Sequence, residues 1–224
     1  MLEVLGSVLP TAVGIAISPI PLIAVILMLM SPRPRQLGLG FLVGWLLGVL
    51  VATTAFTLLA GVIPEPEESD GAQPVIAVIQ LVLGTLLLLL AARQWRSRPA
   101  PGEEAELPAW MAKIDSMNPF AATGLAFVLA AINPKNLLLA VAAGSMIGRA
   151  ELDVPEQLTV VLVFGLIAAL TVAIPVIAVI VAPHKAATLL SGIRTWLTAH
   201  NAVIMMTLFL VLGAQIIGKA LGNF

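Results

Sequence analysis

Lys135 lies in the heptapeptide AINPKNL at residues 131 to 137, inside an apolar stretch from Phe120 to Ile147 that holds no other charge. A lysine side chain offers up to three N–H donors and, when charged, a point positive charge. The chemistry this suits best is binding of an anion: a phosphate, a sulfate or a carboxylate. Asn133 and Asn136 flank it with amide donors and acceptors. Placing a lysine at the centre of a membrane helix costs about 2.5 to 3.5 kcal/mol, and the default reading of such a residue is functional. Two structural alternatives stand beside that one. The side chain can snorkel to an interface, or it can be buried in neutral form and bonded to the two asparagines.

The elements that must position this lysine are set by composition. Of 224 residues, 60% are hydrophobic and 10% charged, and mean hydropathy is +1.08. Soluble domains carry about a quarter charged residues, so the chain reads as an all-α integral membrane protein. The net charge of −1 presents no basic surface for nucleic acid, and the absence of Cys excludes disulfides and thiolate metal sites. Residues 1 to 6 carry only Glu3, so no basic region of a signal peptide precedes the first apolar run.

A bilayer core needs about 20 apolar residues per helix. On that measure six spans are predicted, at roughly 7–30, 37–62, 74–93, 118–147, 157–182 and 201–221. The connectors are SPRPRQ, the acidic PEPEESDG, the longer RQWRSRPAPGEEAELP, RAELDVPE, and a stretch around His184, Lys185 and Arg194. The segment LPAWMAKIDSM suits either an interfacial helix or a plain connector. Basic residues near span ends are retained in the cytoplasm. One side holds Arg33, Arg35, Arg93, Arg96, Arg98, Lys113, Lys185 and Arg194, the other only Arg149 and Lys219. Both termini are therefore predicted outside the plasma (inner) membrane.

A second copy of the lysine's neighbourhood appears early in the chain. Residues 16 to 22 read AISPIPL and match AINPKNL at Ala, Ile, Pro and Leu. LVLG occurs at 81–84 and again at 210–213, and Gly44 early in the second span has a counterpart in Gly165 early in the fifth. Three spans per half is an odd number, so the second half must enter the membrane from the opposite face. This predicts two inverted-topology three-helix repeats: residues 1–97, a cytoplasmic linker at 98–117, and residues 118–224. Secondary transporters are built this way, with sites near the midplane on broken helices. Proline removes a helical hydrogen bond and pushes the preceding residue away from helical geometry. Pro19, Pro21 and Pro134 should therefore break the first and fourth spans. Freed backbone groups cannot face lipid, so Ser18, Asn133 and Asn136 are placed to satisfy them or to bind a solute. Pro175, a turn after Thr171, is a further candidate hinge.

Other patterns are structural or exclude functions. Gly40, Gly44 and Gly48, then Gly144 and Gly148, then Gly218 and Gly222 recur at four-residue spacing and make close-packing faces. They serve either the bundle or a homodimer. Thr53, Thr54, Thr57 and Gln80 are polar groups within spans, where Thr commonly bonds its own backbone. No Asp or Glu occurs inside a span, which argues against cation transport, since hard cations want carboxylate oxygens. There is no HExxH, no intramembrane Asp pair and no Ser with a His at membrane depth. No catalytic residue, metal site or cofactor is predicted.

AISPIPL, AINPKNL and the ending WLTAHNAVIMMTLFLVLGAQIIGKAL together resemble the glycolipid-addressing GAP or Sap family within the LysE transporter superfamily, over nearly the whole chain. The Ser-Pro-x-Pro and Asn-Pro-Lys-Asn segments are the most specific parts of the resemblance. It implies a role in moving glycolipids such as sulfolipids toward the outer envelope of mycobacteria and their relatives. It also implies substrate contacts at Ser18, Pro19, Pro21, Asn133, Pro134, Lys135 and Asn136. The missing intramembrane acids depart from the cation-handling branches of that superfamily. The reading favoured is a transporter of an anionic lipid or glycolipid that opens sideways to the bilayer. The alternatives are an exporter of an amino acid or other small solute, and a non-transporting scaffold of a larger lipid-export complex acting through the glycine faces.

Overall fold

A computed structural model describes residues 1–62, 72–98, Met111, Ile114 and 116–221. Its regular elements among the described residues are α-helices: α1 (Leu2–Ala16), α2 (Pro19–Leu29), α3 (Pro34–Val62), α4 (Ala72–Arg96), α5 (Pro119–Ala131), α6 (Pro134–Gly148), α7 (Val154–Val181) and α8 (Pro183–Leu221). The whole acidic PEPEESDG connector and most of the 98–117 linker lie outside the described residues, as does Gly222. Within LPAWMAKIDSM, Met111 and Ile114 are buried.

Both predicted breaks are present. α1 and α2 meet at 56°, and α5 and α6 at 63°. Each second helix starts on a proline, Pro19 or Pro134, which is a helix starter because its missing N–H would be unpaired there in any case. Asn118 starts α5 in the same manner, its side-chain oxygen accepting from the Ala121 amide at 2.8 Å. At α7, Asp153 accepts from the Glu156 amide at 2.9 Å, with Pro155 and Glu156 in the first turn. α7 continues through Pro175 without interruption.

Two sequence expectations fail. Nothing among the described residues lies within 4 Å of a Cβ built on Gly218, so that position of the predicted Gly218, Gly222 face is open rather than packed. The stretch around His184, Lys185 and Arg194 is not a connector: α8 begins at Pro183, and Ala182 alone separates it from α7. Pro183 stops one helix and starts the next, and Ala, Leu, Lys and Arg among the residues that follow carry the helix past Ser191 and Gly192.

Three helices among the described residues, at Pro34–Ala60, Val154–Val181 and Pro183–Gly218, are long and apolar enough to cross a membrane, and each bent pair adds a further candidate. Their outer faces are apolar. Leu158, Leu162, Leu166, Leu170 and Ile174 of α7 recur at four-residue spacing and are all exposed. Apolar surface on that scale suits hydrocarbon rather than water, and the protein is an integral membrane protein.

The chain divides into two compact units, Met1–Ile63 with Leu107–Thr195, and Pro64–Glu106 with Trp196–Phe224. In the first, α3 packs on α2, α5, α6 and α7, and α1 packs on α6 and α7. Hydrophobic transfer does not drive helices together inside lipid, so close packing of small residues must. A Cβ built on Gly40 would stand 2.7 Å from the Pro119 carbonyl oxygen, and one on Gly44 would overlap the Thr123 backbone. Gly48 faces Phe127 and Ala130. The whole Gly40, Gly44, Gly48 face is thus occupied by α5, and the Gly144, Gly148 face by Phe56 and Thr57 of α3. Trp45, fully buried, donates from Nε1 to the Ala168 carbonyl at 3.2 Å and ties α3 to α7.

In the second unit, α4 meets the later part of α8 through the glycines of the two LVLG segments. A Cβ on Gly84 would lie 3.0 Å from the Gly213 carbonyl, and one on Gly213 would lie 3.0 Å from the Gly84 carbonyl.

Gly44→Ala, which forces α3 away from the α5 backbone, should lower thermal stability in detergent by about 1–3 kcal/mol. Gly124→Ala, where nothing lies within 4 Å, should be neutral or stabilising by up to about 1 kcal/mol. Equal melting temperatures for the two variants would refute the α3–α5 packing.

Candidate functional site

The site is built by the carbonyls that the first break sets free. At a helix end the last carbonyls lose their intrahelical donors, and in a membrane they need substitutes. Pro19 and Pro21 lack the N–H groups that would have served Ile15 and Ile17, so those two carbonyls are orphaned by sequence alone. The Ser18 amide turns to the Ala16 carbonyl at 2.8 Å, which leaves Gly14 without its usual donor as well.

Each of these groups has a partner. The Val13 carbonyl accepts from the Ile17 amide at 2.9 Å. The Ile15 carbonyl accepts from the Ser18 hydroxyl at 2.7 Å. The Ala16 carbonyl accepts additionally from the Thr171 hydroxyl of α7 at 2.7 Å. The carbonyls of Gly14 and Ile17 accept from Lys135 Nζ, each at 2.8 Å. Lys135 Nζ also donates to Ser18 Oγ at 2.6 Å. The lysine, rooted in the first turn of α6, therefore caps the carbonyl end of α1. That end carries the negative pole of the helix dipole and favours a cation.

The side chain is 2% exposed, which disposes of snorkelling. Its Nζ bonds neither asparagine. Three acceptors match the three hydrogens of an ammonium, so in this conformation no donor of Lys135 is left over for an anion. A solute would have to displace at least one of Gly14, Ile17 and Ser18.

The asparagines work nearby on their own break. Asn133 caps α6, its side-chain oxygen accepting from the Lys135 amide at 3.1 Å. Asn136 donates from Nδ2 to the Leu129 carbonyl of α5 at 3.1 Å, and its oxygen lies 3.4 Å from Ser18 Oγ. The single hydroxyl hydrogen of Ser18 is better aimed at Ile15, at the shorter distance.

Of the seven sequence candidates, Ser18, Lys135 and Asn136 are brought together and buried. Pro19 and Pro21 are buried beside them at the start of α2. Asn133 is half-buried and serves the local cap, while Pro134 is exposed and contributes by lacking an N–H. The backbone carbonyls of Gly14 and Ile17 are not legible from residue types, although counting the hydrogen bonds that Pro19 and Pro21 delete points to Ile17. Thr171, noted in the sequence as the neighbour of a candidate hinge, instead reaches across to α1.

Lys135→Met removes the donors of two buried carbonyls and should destabilise the folded protein by about 1–3 kcal/mol. Thr171→Val should cost less, about 0.6 kcal/mol, because the Ala16 carbonyl keeps the Ser18 amide. Denaturant titrations of both variants in detergent check the order, and a larger loss for Thr171→Val would overturn this account of the α1 carbonyl end.

A comparison with curated proteins gives no match, and neither does one with solved structures. A comparison with protein families matches residues 8–222 to the family described as Sap, sulfolipid-1-addressing protein. That stretch includes both helix breaks and all seven candidate residues, and the chain belongs to the Sap, sulfolipid-1-addressing protein, family.

Proposed function

We propose that this protein is a transporter that moves an anionic lipid or glycolipid across or out of the plasma membrane. The observation that carries the reading is the Lys135 bridge. One lysine holds together two broken helices, one from each half of the chain, through bonds that an anionic headgroup is chemically equipped to replace. Family membership supports a role in lipid handling, and a sulfolipid bears an anionic group of the kind a lysine binds.

On this reading the structure is the sealed state. Binding requires Lys135 to exchange the carbonyl end of α1 for the headgroup, with Ser18 and Asn136 beside it and the prolines keeping the backbone open. The free carbonyls then need water or the lipid's own hydroxyls, which a glycosylated headgroup supplies. A ligand that competes with internal partners binds with an apparent affinity reduced by the fraction of open protein. Such a site loads weakly and releases readily, as a carrier needs.

The architecture of the proposal is six spans in two inverted repeats, as in the LysE superfamily, with both termini outside. Three observations support it. The two breaks have similar angles. α3 of the first half packs on the broken pair of the second, while α7 of the second half packs on the broken pair of the first. Gly84 and Gly213, equivalent in the repeated LVLG, touch each other reciprocally, as residues close to a two-fold axis must. A homodimer through glycine would have to use positions other than the α3 face, which α5 fills.

Flipping of headgroup-labelled anionic lipid in proteoliposomes is the direct test. The native protein should flip it and Lys135→Met should not, compared at equal amounts of folded protein. Because that variant also loses stability, a second one separates binding from folding. The chain has no Cys, and a Cβ on Gly14 would lie 3.0 Å from Leu139 Cδ1, so the pair Gly14→Cys and Leu139→Cys should lock α1 to α6. Flipping should stop on oxidation and return on reduction. A locked protein that still flips lipid would sink the sealed-state reading.

A further inference from the structure

The junction of α7 and α8 forms a groove of about 430 Å³, within the size range of small-molecule sites. Its floor is made of alanines, Ala178 and Ala186 among them, and its walls of Ile174, Ile177, Val181 and Leu189. The walls are exposed, Val181 at 76% and Leu189 at 64%. The cleft exists because small side chains at the helix junction lie between large ones. Lys185 is its one charged lining residue.

Two further observations bear on the occupant. The exposed stripe on α7 that begins at Leu158 and passes through Leu166 and Leu170 continues into the groove at Ile174 and Ile177. An acyl chain lying along that stripe is led into the cleft. From Gln157 to Phe224 the chain contains no Asp or Glu, the one acid on α7 is Glu156 in its first turn, at the end away from the groove, and among the described residues Lys185 has no ion-pair partner, so its charge can meet an external anion. Other positive or titratable groups on α8 are His184, Arg194, His200 and, near its far end, Lys219; His184 and His200 are exposed and Arg194 is half-buried.

We propose that this groove binds one acyl chain of an anionic membrane lipid, with the headgroup held by Lys185. This site is built without any residue of the Lys135 cluster. It requires the protein to lie in a bilayer but does not require that it transport anything.

The test uses the full-length protein in phosphatidylcholine vesicles doped with either of two probes. One is a phosphatidylglycerol carrying a photoreactive diazirine on one acyl chain; the other is a phosphatidylcholine with the same tail. Labelled peptides are read by mass spectrometry. Residues 174–189 should be labelled about fivefold more by the anionic probe. Lys185→Gln should bring that ratio close to one, Lys185→Arg should restore it, and Ala178→Trp should abolish labelling of the groove while labelling of the α3 outer face persists. Lys185 is exposed and Ala178 is half-buried, and neither belongs to the buried core, so these variants keep that core intact. Equal labelling by the two probes, or a ratio unchanged in Lys185→Gln, would overturn the proposal. So would a contact between two copies of the chain at these residues in place of a lipid adduct. Lys135→Met should leave the ratio unchanged, so a failure of the transport reading and a failure of this one give different results.

Discussion

The arrangement depends on a single constraint, that a backbone carbonyl freed inside an apolar medium must find a donor within the protein. Pro19 and Pro21 free carbonyls at the end of α1, and everything around them follows from replacing what was lost. Ser18, at the start of α2, folds back on α1, Thr171 reaches in from α7, and Lys135 arrives from α6. A buried lysine without an acidic partner looks costly. Here each side compensates for the other, because two orphan carbonyls at the negative end of a helix are what a lone lysine in lipid needs.

That exchange makes the break conditional. A helix broken in lipid is tolerable only while its substitutes stay in place, so any motion of α6 relative to α1 must supply new donors at the same moment. Water and a polyhydroxylated headgroup are both able to do so. The packing that surrounds the site is stiffer. α3 and α5 touch backbone to backbone along Gly40, Gly44 and Gly48, and Trp45 fastens α3 to α7. A frame of close contacts around a junction held by replaceable hydrogen bonds allows one element to move while the others hold.

The lipid-facing surface follows from the same physics. Small residues turn inward because backbones approach one another there, and Leu, Ile and Val turn outward because hydrocarbon accepts them without penalty. At the α7–α8 junction alanines leave a cleft between large side chains, and Lys185 puts a charge at one side of it.

Much of this was readable from residue types. Composition sets the membrane class, the prolines at 19, 21 and 134 locate both breaks to within a residue, and the four-residue glycine spacing marks the close-packing faces at Gly40, Gly44 and Gly48 and at Gly144 and Gly148, though not at Gly218. Those features are local, and local chemistry decides them. The connector predicted around His184, Lys185 and Arg194 fails because polarity is a weak loop signal, whereas Pro183 is suited to the first position of a helix and the residues after it continue one. The partners of Lys135 were out of reach for a different reason. A sequence shows which side chains can donate, but the acceptors at Gly14 and Ile17 are backbone carbonyls that every residue possesses. Which of them lies within 2.8 Å of Nζ is decided when α1 and α6 pack, and only the tertiary structure holds that distance.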